Sequence, residues 1–219
     1  VWSEPNHEVA QAQFELNARP ALAVIKVDKK AEKLAVEDTE KTLTGGNEAM
    51  AAVFCKEAGK MVSLKLNGLE IIHGQEGFVY DNYRFIENDR SCKPGNGLDS
   101  IGTCEIVPSK GGSVIVKTTR GGKLASQVIT YTFLPNGIMD MDVTLTPQAK
   151  ELRRAGLVAS INPGLRKVNY WAYGPDENYN DRKESTMVGR YQTTVDDMVV
   201  YYQKPQSMGN REGLRELTL

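Results

Sequence analysis

At 219 residues the chain is long enough for one large domain or two small ones. Hydrophobic residues make up 40% and charged residues 25%, an ordinary soluble globular composition, and 27 basic against 28 acidic side chains leave a formal net charge of −1. That balance excludes the basic surplus of a nucleic-acid binder, and no apolar run is long enough to span a bilayer.

In chain order, Val1 opens inside strand-like sequence without a charged leader, as expected for a piece of something longer. Residues 18–47 break the rhythm: Pro20 comes first, one strand is predicted at Ala23–Val27, and the sequence then turns hydrophilic up to Gly45-Gly46. The basic cluster Lys26–Lys33 also holds Asp28 and Glu32, which reads as a solvated surface. Ala49–Cys55 is a small apolar run, followed by a turn with Gly59 near its end. Met61–Leu66 then alternates, which predicts Val62, Leu64 and Leu66 on one face and Ser63 and Lys65 on the other. Asn67-Gly68 is a hairpin signal, because both turn positions need positive φ, and Leu69–Ile72 resumes the strand. Residues 89–104 form the second break, with Lys93-Pro94-Gly95-Asn96-Gly97 predicting a mobile loop.

Ser113–Thr119 and Leu124–Leu134 read as strands around an Arg120-Gly121-Gly122 turn. After Pro135-Asn136-Gly137, Ile138–Leu145 alternates, with Met139, Met141, Val143 and Leu145 inward and Asp140, Asp142 and Thr144 outward. Gly156–Ile161, Val168–Tyr173, Met198–Tyr202 and Leu214–Leu219 complete the predicted strands. The best helical stretch, Tyr179–Thr186, is short. Many strands joined by tight turns predict an all-β fold, a sandwich of antiparallel sheets.

Cys55, Cys92 and Cys104 make an odd count, so at least one thiol is free; they lack zinc-site spacing, and the histidines are only His7 and His73. Whether Cys92 pairs with Cys104 stays open. On the strand Val168–Tyr173, alternation puts Tyr170 and Ala172 on one side and Trp171 and Tyr173 on the other, with one side expected to be core and sugar stacking on the other considered.

Two dense loops carry the strongest signal. Gly174-Pro175-Asp176-Glu177-Asn178-Tyr179-Asn180-Asp181-Arg182 follows a strand, and Pro205-Gln206-Ser207-Met208-Gly209-Asn210-Arg211 comes later. Polar and charged groups so crowded must pair with each other or with a partner. Together the loops resemble the C-terminal small-chain domain of bacterial β-galactosidases, glycoside hydrolase family 2, with its Gly-Pro-x-Glu-Asn-Tyr-x-Asp-Arg and Pro-Gln-Glu-x-Gly-Asn-Arg segments. Ser207 departs from the second segment's glutamate. Tyr83-Arg84-Phe85-Ile86-Glu87-Asn88-Asp89 is similar to an Arg-containing family segment ending in Asn-Asp. Trp2-Ser3-Glu4, His7–Ala10 and Gln13–Leu16 resemble the last strand of a preceding immunoglobulin-like domain.

The resemblance implies a large antiparallel sandwich of the galactose-mutarotase-like kind, incomplete at its C-terminal end. It divides the chain into 1–20, the last strand of the preceding domain; 21–47, a linker with a first strand; and 48–219, the sandwich. It implies a parent enzyme that cleaves terminal β-galactosides by the retaining route, with both catalytic carboxylates on a (β/α)₈ barrel that this strand pattern cannot encode. No catalytic residue, metal or cofactor is then expected here, and acid pairs such as Asp196-Asp197 or Glu87 with Asp89 read as solvated turn acids.

Arg84, Glu87, Asn88 and Asp89 are expected either to carry a loop near the galactose site or to form a salt-bridged corner. Glu177, Asn178, Tyr179, Asp181, Arg182, Asn210 and Arg211 are expected to form a hydrogen-bonded network that fixes the loop against the barrel domain. The implied partners are the remaining domains of the parent, a galactoside in the full enzyme, and a second copy through open strand edges; no nucleic acid or membrane is expected, and the sequence leaves the compartment unknown, with a soluble protein of the bacterial cytoplasm or periplasm as the alternatives. The rival readings are a free-standing carbohydrate-binding module and an aldose-1-epimerase-like enzyme, the latter needing a histidine and a carboxylate poised as acid and base.

Overall fold

The computed structural model describes residues 11–17, 33–86, 98, 101–109, 111–148, 152, 154–204 and 206–219. Among these residues there are strands in antiparallel sheets and no helix, so the chain is an all-β sandwich protein. It divides into two compact units. The predicted strand Ala23–Val27, most of the N-terminal strand and the Lys93–Gly97 loop lie outside the described residues.

The larger unit comprises the described residues of 33–165 and 202–207. Its first sheet is a meander of β1 (Ala35–Asp38), β2 (Thr42–Gly46), β3 (Met50–Cys55), β4 (Lys60–Leu66) and β5 (Leu69–Glu70), in that spatial order. β6 (Val79–Asp81) stands apart from it. The second sheet is built from β7 (Gly102–Val107), β8 (Val114–Arg120), β9 (Ala125–Leu134) and β10 (Ile138–Pro147), again neighbour to neighbour. β11 (Gly156–Val158) pairs with β6.

The inward faces of the two sheets make one core. Leu43, Met50, Ala52, Phe54, Met61 and Leu64 come from the first sheet, and Cys104, Val114, Val116, Ile129, Tyr131 and Phe133 from the second. Phe54 sits edge-on to Tyr131 and Phe133, with ring centroids 5.1 and 6.0 Å apart, an arrangement that suits the ring quadrupoles. β9 has one buried face: every second residue from Ala125 to Phe133 is buried. One buried polar side chain also ties elements together: the Gln127 carboxamide accepts the Tyr80 N–H at 2.5 Å and donates to the Phe78 carbonyl at 3.4 Å.

The Asn67-Gly68 turn forms as predicted, with φ of 48° and 81°. Alternation in β4 does not hold, however. Phe54 opposes Met61 and Val53 opposes Ser63, so Val62 is an extra residue in the ladder. This bulge turns both Met61 and Leu64 to the core and leaves Leu66 37% exposed, in place of the predicted Val62, Leu64 and Leu66 face. On β10, Met139 and Met141 pack against the core, whereas Val143 is 36% exposed because β10 is the sheet's edge. Residues 35–46, read as hydrophilic in sequence, contribute β1 and β2.

The smaller unit holds the described residues of 11–17, 166–201 and 208–219. Its sheet places β12 (Lys167–Gly174) between β13 (Met187–Thr194) and β14 (Glu216–Thr218). Val168, Tyr170 and Ala172 are its buried cluster, against which Tyr191 and Met198 pack. The predicted strand Met198–Tyr202 does not form: its start lies in a turn, Met198 uses its side chain on the cluster, and Tyr201 is 94% exposed. Of the two strands that pair with β12, β13 is the one that periodicity alone did not reveal, because Gly189 and Arg190 interrupt its apolar pattern. Tyr179–Thr186 makes two tight turns rather than a helix, closed by Tyr179–Arg182 and Thr186–Lys183 backbone bonds.

Candidate functional site

The first motif loop meets residues 208–211 of the second in the smaller unit. β12 ends at Gly174, where a Cβ would come within 2.8 Å of the Tyr170 hydroxyl and the Tyr191 ring, so a larger residue would have to push these two tyrosines aside. Beyond it, the Tyr170 hydroxyl donates to the Pro175 carbonyl at 2.9 Å and accepts from Arg211 Nε at 3.1 Å.

Asn178 is the centre of the corner. It is fully buried, and its carboxamide donates to the carbonyls of Tyr173 at 3.1 Å and Asp176 at 3.0 Å, while Oδ1 accepts the Glu212 N–H at 2.7 Å. Its backbone N–H donates to the Asn210 carbonyl at 2.9 Å, and its own carbonyl accepts from the Asn210 carboxamide at 2.7 Å. Every hydrogen-bonding group of Asn178 is thereby used, which removes the cost of burying it.

Glu177 lies beside it with its side chain only 4% exposed. One carboxylate oxygen accepts from the Arg182 guanidinium, and the other accepts the Gly209 N–H at 2.7 Å. A buried carboxylate needs such charge-assisted partners on both oxygens. Arg182 also lies over the Tyr179 ring, 5.6 Å from its centroid, and Arg211 lies at the same distance over Tyr170. Asp181 is exposed on the outside of the turn.

The structure thus brings Glu177, Asn178, Tyr179, Arg182, Asn210 and Arg211 together, with Asp181 at the rim. It adds three residues that sequence reasoning missed: Tyr170, Gly209 and Glu212. Tyr170 had a signal, its place on the buried face of β12; the main-chain groups of Gly209 and Glu212 had none.

On the opposite side of β12, Trp171 stands between Arg190 of β13 and Glu216 of β14. Arg190 and Arg215 lie 4.8 and 5.5 Å from the indole centroid, and Arg190 bonds Glu216 at 2.7 Å. Cations already stack on this ring, so a sugar would have to displace them. Among the described residues, no group of His, Cys, Asp and Glu side chains could hold a metal ion.

The profile of the β-galactosidase small chain family matches residues 46–219, most of the chain. The chain belongs to that family. As a small chain it is similar to the β-galactosidases of Priestia megaterium, 26% identical over all of this chain and 22% of the relative, and of Halalkalibacterium halodurans, 26% identical over all of this chain and 23% of the relative. The β-galactosidase of Lactobacillus delbrueckii subsp. bulgaricus is 30% identical over 98% of this chain and 22% of its own length. The small chain therefore spans less than a quarter of the length of these relatives.

In the larger unit of the small chain, the departure at Ser207 has a defined geometry. The Ser207 N–H donates to the Phe85 carbonyl at 2.9 Å and its Oγ accepts the Phe85 N–H at 3.2 Å, next to an Ile86–Gln206 bridge. Ser207 thus clasps the segment that carries half-buried Arg84. Glu87, Asn88 and Asp89 lie outside the described residues.

Proposed function

We propose that this chain is a non-catalytic part of a bacterial β-galactosidase that hydrolyses terminal β-galactosides. Its job is to brace the domain bearing the catalytic carboxylates and to hold the segment around Arg84 near the galactose site. The observation that carries this reading is the match along the whole chain to β-galactosidases more than four times as long. The chemistry of the corner supports it. Retaining hydrolysis needs two carboxylates free to face a glycosidic bond, and both oxygens of Glu177 are occupied by protein donors. Asp196 is paired with Arg166, and Asp197 accepts from Thr194 at 2.7 Å. The corner presents Tyr179, Asp181 and Arg182 outward as the surface that meets the rest of the parent. No cofactor enters this role.

The test is direct. The purified chain is assayed on a chromogenic galactoside and is expected to be silent; hydrolysis by the isolated chain overturns the reading. Titration with galactose and lactose while optical rotation is followed completes it. Catalysed mutarotation points to an epimerase, for which exposed His73 is the described histidine, and saturable binding alone points to a carbohydrate-binding module.

A further inference from the structure

β13 is an edge strand, and its outer side carries main-chain groups that no strand among the described residues pairs. One of its residues is occupied in another way. The Gln13 carboxamide accepts the Val188 N–H through Oε1 at 2.7 Å and donates through Nε2 to the Val188 carbonyl at 2.8 Å. A side-chain amide has the same donor and acceptor as a peptide unit, so this pair reproduces one rung of a β-ladder. The eight-residue register of β12 with β13 runs without a bulge. Strand alternation therefore turns the N–H and C=O of Arg190, Gln192 and Thr194 outward with those of Val188.

This edge lacks the usual protections. β13 reads Met-Val-Gly-Arg-Tyr-Gln-Thr-Thr, with a single charge and no proline. β10, by contrast, carries Asp140 and Asp142 and ends in Pro147, and exposed β1 carries Glu37 and Asp38. β13 is also self-complementary. In an antiparallel pair of two copies centred on Tyr191, Arg190 opposes Gln192 of the other copy and Val188 opposes Thr194, so no like charges fall directly opposite; the two Arg190 side chains are diagonal neighbours. The outward groups at these positions then fall directly opposite one another.

We propose that β13 is a self-pairing edge, that the strand it accepts is β13 of a second copy of this chain, and that Gln13 caps it. Gln13 holds the position where the intermolecular ladder would end, and the second copy must displace it. The cap works against dimerisation by the worth of its two hydrogen bonds, and this inference is independent of the catalytic role of the parent.

The experiment uses the full chain. Sedimentation across a dilution series compares it with Gln13→Ala, a change at an exposed residue. The variant is expected to self-associate at roughly tenfold lower concentration. Hydrogen exchange of the Val188 amide, read under dilute monomeric conditions, is expected to speed up in the same variant. Adding Gln192→Pro to Gln13→Ala removes an outward donor without touching the β12 pairing, and is expected to reverse the association. Equal self-association of the parent chain and Gln13→Ala overturns the proposal. So does an unchanged Val188 exchange rate, or association that persists with the proline in place.

Discussion

The larger unit and the smaller one solve the burial problem by opposite means. The sandwich core is an apolar cluster in which Phe54, Tyr131 and Phe133 are fully enclosed between two sheets. The motif corner buries Asn178 and Glu177 instead, and satisfies them bond by bond. Apolar burial is non-directional and tolerates repacking; a buried polar network is satisfied in one geometry and penalised in every other. The two regions should therefore answer substitutions differently in kind, not only in size.

The largest effect is expected in the core. Phe54→Ala leaves a cavity between the sheets and should cost about 3–5 kcal/mol in denaturant unfolding. Phe54→Leu refills most of that space and should cost roughly 1–2 kcal/mol. The corner breaks this graded pattern. Asn178→Ala strands the Glu212 N–H and the carbonyls of Tyr173 and Asp176, and should cost about 2–4 kcal/mol. Asn178→Leu, which restores volume without donors or acceptors, should be no better. If Asn178→Leu proved as mild as Phe54→Leu, the corner would be held by packing and the contrast between the units would collapse.

The same contrast explains what was legible in the sequence. β3, β8 and β9 announce themselves as apolar or β-branched runs between turn signals, and β10 and β12 by period-two alternation, a local consequence of one buried face. The bulge at Val62 was invisible, since it depends on where Phe54 of the neighbouring strand sits. β13 was missed because tertiary pairing with β12 overrides a sequence broken by Gly189 and Arg190. The corner was legible only as a resemblance: its residues could be named, yet nothing local says that the Glu177 carboxylate finds the Gly209 N–H 32 residues away. Roles assigned to Arg84 and to Glu87, Asn88 and Asp89 rest on that resemblance too.

A smaller effect separates polar fastening from apolar packing inside the larger unit itself. Glu70 closes the β4–β5 hairpin, accepting from Ser63 Oγ at 2.5 Å and from the N–H groups of Leu64 at 2.9 Å and Ile72 at 3.1 Å. Burial acts to raise its carboxyl pKa, but these three donors and the Lys65 charge outweigh it, so the group sits below its ordinary 4.5. A depressed carboxyl stabilises the fold fully above its unfolded value, and that contribution is lost as pH falls through the folded one. Melting temperature followed from neutral pH downward should therefore fall more steeply below 4.5 for the parent chain than for Glu70→Gln. Parallel curves would show that the hairpin owes nothing to the charge.

The smallest effect asks whether the sandwich is closed at its edge. β7 is an edge strand, yet Cys104 on it is buried, 8% exposed, and burial pushes its thiol up to about 11 despite the nearby Lys56 charge. At pH 8 a thiol with such a value is ionised in roughly one molecule in a thousand, and the thiolate is the reactive form. A thiol reagent applied to the reduced, folded chain should therefore modify half-buried Cys55 well before Cys104, with peptide mapping by mass spectrometry to tell them apart. In denaturant both should react alike, since the difference belongs to the fold. Labelling of Cys104 at the rate of Cys55 under native conditions would mean that β7 opens readily, and that the core's apolar seal stops at β8.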